Sequence, residues 1–286
     1  MTSWKKRIYQ TQDGLRLVAD HGGNEKAPAV ILLHGGGQTR HSWSRAAERL
    51  VEEGLQVISF DARGHGESDW SADGAYQLTD RAADLALITS ELKAPYFLVG
   101  ASLGGATSIV SIHQGLRPAG LVLVDIVPQP DPRGISRIIA FMQGYPDGFA
   151  NLDEAAAAVA AYNPQRKVAK DHQGLMKNLR IRSDGRLRWH WDPLIVADHP
   201  GTLHHIVQEA AKTLEQLPDL PVLLVRGMAS DVVSDESIEA FRQGLPRLEL
   251  LDVEGAGHMV AGDRNDVFND GIIAFVQKRL ALSEAL

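Results

Sequence analysis

Apolar residues along the chain gather into short, nearly continuous runs rather than long stripes. Runs of this kind read as strands buried on both faces of a parallel sheet. They occupy 29–33, 55–60, 96–99 and 121–124, with a fifth at 222–225 and a sixth at 248–253. Between them the pattern becomes helical, at 42–53, 79–92, 102–114, 234–243 and 267–280. The first of these opens on Ser42 and stops before Gly54, residues that suit a helix start and a helix end. Strand alternating with helix predicts an α/β chain with a doubly wound, mostly parallel sheet. Residues 10–20, with the turn pair Asp13-Gly14, predict a hairpin at one sheet edge.

The alternation breaks after Asp125. The segment PQPDPRG has the composition of a loop. An alanine-rich helix is expected over 153–162, and this region holds most of the aromatics outside the strands. Residues 128–215 are therefore expected to form a helical cap inserted into a core made of 1–127 and 216–286.

The segment FLVGASLGGATSIV carries the most specific chemistry. Gly100-Ala101-Ser102-Leu103-Gly104 is a G-x-S-x-G pattern between a predicted strand and a predicted helix. A serine on so sharp a turn is held in a strained backbone, and strand and helix approach too closely for large side chains two positions away on either side. Ser102 is the candidate nucleophile. Its oxyanion partners are expected to be the N–H of Leu103 and an N–H from the glycine loop His34-Gly35-Gly36-Gly37, first Gly36 and then Gly37. His34 reads as a structural hydrogen-bonder beneath them.

A serine needs a base, and the base needs a carboxylate to fix its tautomer. The chain has 11 histidines. His258 lies in EGAGHMVAGD, after the last strand and before the last helix, at the sheet edge where open α/β folds bind ligands. His65, in DARGHGES, precedes the serine and reads as a loop stabiliser. His190, His199, His204 and His205 fall in the cap and read as surface or packing residues. For the acid, Asp231 after the strand PVLLVRG is preferred, and Asp125 at the end of LVLVD is the alternative.

Composition narrows the rest. A formal net charge of -7 argues against nucleic-acid and anionic-membrane partners. With no cysteine, disulfides, thiolate catalysis and cysteine-bound metals are excluded. The first residues carry no apolar run of signal-peptide type, and no apolar stretch is long enough to span a bilayer. The expectation is a cytoplasmic protein with a small-molecule substrate, without a metal, and of unstated oligomeric state.

Together LLHGGG, Trp43, DARGHGES, GASLGG, RGMASD and GAGH make the chain resemble the cap-bearing α/β-hydrolase superfamily along nearly its whole length. The resemblance implies an eight-stranded sheet, a triad of Ser102, Asp231 and His258, and no cofactor. Members with an aspartate nucleophile, the haloalkane dehalogenases and epoxide hydrolases, are set aside by the serine at 102. Carbon–carbon bond hydrolases share the glycine loop but carry Asn before the serine and Trp after the histidine, where this chain has Ala101 and Met259. Cofactor-free haloperoxidase-type members share the triad. Some triad-bearing relatives are ligand sensors, a role for which no extension or appended domain is expected here. The expected activity is hydrolysis of an ester-like carbonyl in a small, mainly apolar substrate through an acyl-enzyme. The substrate is expected between sheet and cap, against Phe141, Trp189, Trp191 and Met259.

Overall fold

A computed structural model describes residues 4–163, 172–197, 200–258 and 265–284. Its strands are β1 (Lys5–Gln10), β2 (Arg16–Gly22), β3 (Ala29–Leu33), β4 (Gln56–Phe60), β5 (Tyr96–Ala101), β6 (Gly120–Val124), β7 (Leu179–Ile181), β8 (Leu187–Trp189), β9 (Val222–Gly227) and β10 (Glu249–Val253). Eight of them form one sheet in the order β1-β2-β4-β3-β5-β6-β9-β10. Its first three strands pair antiparallel and the others parallel. The helices are α1 (Ser44–Glu52), α2 (Leu78–Thr89), α3 (Leu103–His113), α4 (Pro132–Gln143), α5 (Leu152–Tyr162), α6 (Pro200–Glu215), α7 (Asp235–Gly244) and α8 (Asn265–Glu284).

The continuous apolar runs are explained by helices on both sheet faces. Side chains alternate along a strand, so β3 sends Ile31 and Leu33 into one core and Val30 and Leu32 into the other. The first core includes Leu85 and Ile88 of α2, Ile109 of α3 and Ile238 of α7. The second includes Leu50 of α1 and Phe268 and Ile272 of α8.

The stretch between β6 and β9 does not pack as one unit. A third core joins Met142, Phe149, Ala155, Ala158, Leu179, Leu187, Trp189 and Trp191. Helix α6, expected in the cap, instead adds Val207, Ala210, Ala211 and Leu214 to the first sheet core. His113 of α3 meets Thr213 at 2.8 Å there. The inserted segment also holds a small antiparallel sheet, β7 with β8. Its signal is present in LRIRSDGRLRW, where Leu179, Ile181, Leu187 and Trp189 alternate with arginines about an Asp-Gly turn.

Candidate active site

Strand β5 ends at Ala101 and α3 begins at Leu103, so Ser102 alone makes the turn, with φ 45° and ψ −111°. Two backbone bonds pin it: Ser102 N donates to Val124 O at 3.0 Å, and Ala106 N donates to Ser102 O at 3.0 Å. The glycines of the motif are steric necessities. A β-carbon on Gly100 would lie 2.5 Å from the Gly104 carbonyl carbon, and one on Gly104 would lie 2.3 Å from Leu33 O. The serine therefore sits at the N-terminus of α3, where free N–H groups and the helix dipole favour negative charge.

The glycine loop lies beside it, since a β-carbon on Gly35 would come 3.5 Å from Ser102 Cβ. Three buried histidines hold this loop. Ala62 N–H points at His34 Nε2 at 3.0 Å, so the ring proton is on Nδ1, which meets Gly35 O at 2.8 Å. Gly37 N–H donates to His65 Nε2 at 3.2 Å, so His65 is protonated on Nδ1, which meets Arg63 O at 3.2 Å. Gly66 N–H donates to His190 Nδ1 at 2.7 Å, leaving the Nε2 proton toward Gly37 O at 3.3 Å. Each ring is fixed in one neutral tautomer. Burial is the main cause that lowers all three from the ordinary imidazole range, His190 to about 3.

Of the expected oxyanion donors, Gly37 has its N–H committed to His65. The N–H groups of Gly36 and Leu103 have no such partner among the described residues.

His258 lies in the loop after β10, which is fastened to the end of β9 by Ala229 N donating to Ala256 O at 2.9 Å. Its Nδ1 is 2.7 Å from Asp125 Oδ2. The carboxylate preferred from the sequence, Asp231, is not brought to His258. It is turned outward to the insert, where Arg137 of α4 grips it with Nε and Nη2 at 3.0 and 3.1 Å. Asp125 takes the place because β6 ends in a left-handed turn, with φ 50° at this residue. That turn directs the side chain under β9. Gly227 N–H donates to Oδ1 at 3.1 Å and Ser230 Oγ to Oδ2 at 2.5 Å. Asp125 is thus fully buried with three hydrogen-bond partners, Gly227, Ser230 and His258.

Ser102, Leu103, Gly36 and His258 line one cavity of about 550 Å³ between sheet and insert. Phe141, Trp189 and Trp191 line it too, as the sequence suggests. The tryptophans stack at 4.9 Å, and Phe141 stacks on Tyr162 at 4.3 Å. The Trp-His-Trp alternation predicts one buried and one wet face, but all three residues are buried, because His190 is covered by the two loops that hold Gly37 and Gly66. Met259 and His199 lie outside the described residues. His204, expected as surface or packing, lines the cavity, while His205 is exposed. Two residues of this region carry more structure than the sequence reading gives them: His190 reads there as surface or cap packing, and Asp125 as the alternative acid, although it directly follows the strand beside the one that leads to Ser102. Among the described residues no group of three or more histidines and carboxylates could hold a metal ion, and no helix is long and apolar enough to cross a membrane.

Residues 30–270 match the Alpha/beta hydrolase family. The chain is 33% identical over 252 residues to Esterase Rv0045c of Mycobacterium tuberculosis, a match spanning 83% of this chain and 79% of that one. It is 28% identical over 263 residues to the sn-1-specific diacylglycerol lipase ABHD11 of Mus musculus, spanning 89% and 82%. A solved structure of E-2-(acetamidomethylene)succinate hydrolase superposes with a TM-score of 0.84 over 96% of this chain and all of that one; at 23% identity the likeness concerns the fold.

Proposed function

The chain belongs to the alpha/beta hydrolase family and is a carboxylic ester hydrolase, and from that premise we propose that it works by acyl transfer through Ser102, His258 and Asp125. His258 Nε2 takes the Ser102 proton as Oγ attacks the ester carbonyl. Asp125 keeps the other ring nitrogen protonated and balances the imidazolium that forms. The N–H groups of Leu103 and Gly36 hold the carbonyl oxygen as it becomes an oxyanion. The C–O bond to the alcohol breaks, and the alcohol leaves with the proton from His258. Water, deprotonated by the same ring, then splits the acyl–Oγ bond, releasing the acid and restoring Ser102.

The observation that carries this reading is the 2.7 Å contact of His258 Nδ1 with Asp125, on a residue that shares its cavity with Ser102. Because Nδ1 donates to the carboxylate, Nε2 is left as the basic lone pair. The substrate we propose is a small, mainly apolar ester, since the cavity presents Ile138, Phe141, Val159 and Trp189 rather than a cluster of charges. The described residues of 128–163 and 172–197 act as the cap over it. Ser102→Ala should abolish hydrolysis of 4-nitrophenyl butyrate, a loss of about 10⁴-fold or more in kcat, and block labelling by a fluorophosphonate probe. Labelling mapped to another residue, or turnover left at the wild-type level, would overturn the assignment.

A further inference from the structure

The three histidines beneath the glycine loop do not come from one part of the molecule. His34 follows β3 and His65 follows β4, both in the sheet core, whereas His190 follows β8 in the inserted segment. Between them they hold consecutive peptide groups. His34 Nδ1–H fixes Gly35 O. A trans peptide directs its N–H opposite to its C=O, so the same bond aims the N–H of Gly36. Gly37 is then tied on both sides, its N–H to His65 and its C=O to His190. The inserted segment also lies beside this loop through Met142 and Trp191. A β-carbon on Gly36 would lie 3.5 Å from Met142 Sδ, and one on Gly37 would lie 3.4 Å from Trp191 Cζ3.

The strand end that carries His190 is docked by several further bonds. Asp192 N donates to Gly64 O at 2.9 Å, Arg180 Nη2 to Gly66 O at 2.8 Å, and Trp70 Nε1 to His190 O at 3.3 Å. Trp189 and Trp191, its chain neighbours, line the cavity.

We propose that His190 is a positioning residue, which couples the seating of the inserted segment to the aim of the Gly36 N–H at the oxyanion. The proposal rests on the acyl-transfer reading above. A substrate packed against Trp189 and Trp191 then bears on the residue that steadies the oxyanion loop, so contacts remote from the ester bond are turned into rate rather than affinity.

Two substitutions separate the bonds of this ring. Asparagine places its carbonyl near the position of Nδ1, keeping the acceptor for Gly66 N–H but falling short of Gly37. Glutamine places its amide nitrogen near Nε2, reaching Gly37 O but leaving Gly66 N–H without its acceptor. On 4-nitrophenyl butyrate, His190→Asn should lower kcat about 10-fold, with KM within about twofold, because an oxyanion donor is misaimed rather than removed. Affinity for a trifluoromethyl ketone, which mimics the tetrahedral state, should fall by the same factor. His190→Gln should keep kcat within about threefold of wild type, although each variant lowers Tm by losing one buried bond. Equal losses of kcat in the two variants, or a wild-type kcat in His190→Asn, would overturn the proposal.

A measurement on the unaltered protein guards against variants that fail to fold. Imidazole ¹⁵N spectra should show the His190 proton on Nε2, with its signal moving when the trifluoromethyl ketone binds. A proton on Nδ1 would overturn the proposal. A wild type that hydrolyses no ester would instead strike down the acyl-transfer reading, before any His190 variant is made.

Discussion

Asp125 and Asp231 follow the carboxyl ends of neighbouring strands, β6 and β9, and the fold treats them in opposite ways. Asp125 is wholly buried and surrounded by donors from Gly227, Ser230 and His258. The Asp231 side chain is 38% exposed and pairs with the guanidinium of Arg137, itself 52% exposed. The difference is between a charge whose setting is built around it and a charge that water can serve nearly as well. Position at a strand end makes an aspartate available for chemistry. On the acyl-transfer reading, the turn of the backbone and the donors waiting for the carboxylate decide whether it is used.

The severest test of the contrast exchanges the two carboxylates for amides in turn. Asp125→Asn should lower kcat by about 10⁴-fold, because an amide in that place no longer secures the Nδ1–H tautomer. Asp231→Asn should leave kcat within about threefold. Steady-state kinetics on one small ester reads both, and the reverse order of losses would invert the assignment.

A milder perturbation removes one donor. Ser230→Ala takes away the hydroxyl 2.5 Å from Asp125 and should reduce kcat about 10-fold, read by steady-state kinetics on the same small ester.

The same contrast between built-in and solvated groups sets a pH dependence of stability. Burial pushes His190 down to about 3 and His21 to about 4, from an ordinary imidazole value of 6.5. Between pH 6.5 and about 4 the unfolded chain takes up protons that these rings refuse in the folded state. Stability should therefore fall as pH falls, by about 1.4 kcal/mol per pH unit for each ring kept neutral. Around His190 the charged or titratable neighbours are His34, His65, Asp61 and Arg180. Calorimetric Tm values between pH 7 and pH 4.5 read the slope, which His190→Gln should flatten. The smallest effect is expected at the outer pair: Arg137→Met should cost about 0.2–1 kcal/mol, as exposed ion pairs do, with activity on short esters preserved.

What could be read from the sequence was whatever is decided locally. The strand runs around Ile31, Leu98 and Leu224 announce a sheet covered on both faces. The glycines flanking Ser102 announce the elbow, because sterics within a few residues dictate them. The choice between Asp125 and Asp231 is not local. It depends on a left-handed turn at Asp125 and on Gly227 and Ser230 arriving from a strand about a hundred residues further on. The burial of His190 likewise depends on Gly37 and Gly66 closing over it. The β7–β8 hairpin is the opposite case: its alternation and Asp-Gly turn stand in the sequence, overshadowed there by the helical patterns on either side.

If acyl transfer runs through Ser102 as proposed, its positive φ sets activity against robustness at a single position. A residue with a β-carbon is uncomfortable at φ 45°, while glycine tolerates it, so Ser102→Gly should melt higher than the parent, by an amount in keeping with relief of about 1 kcal/mol. Selection for thermal resistance alone would drift toward an inert scaffold, and a stabilised variant of this protein is worth having only if turnover was screened alongside its melting point.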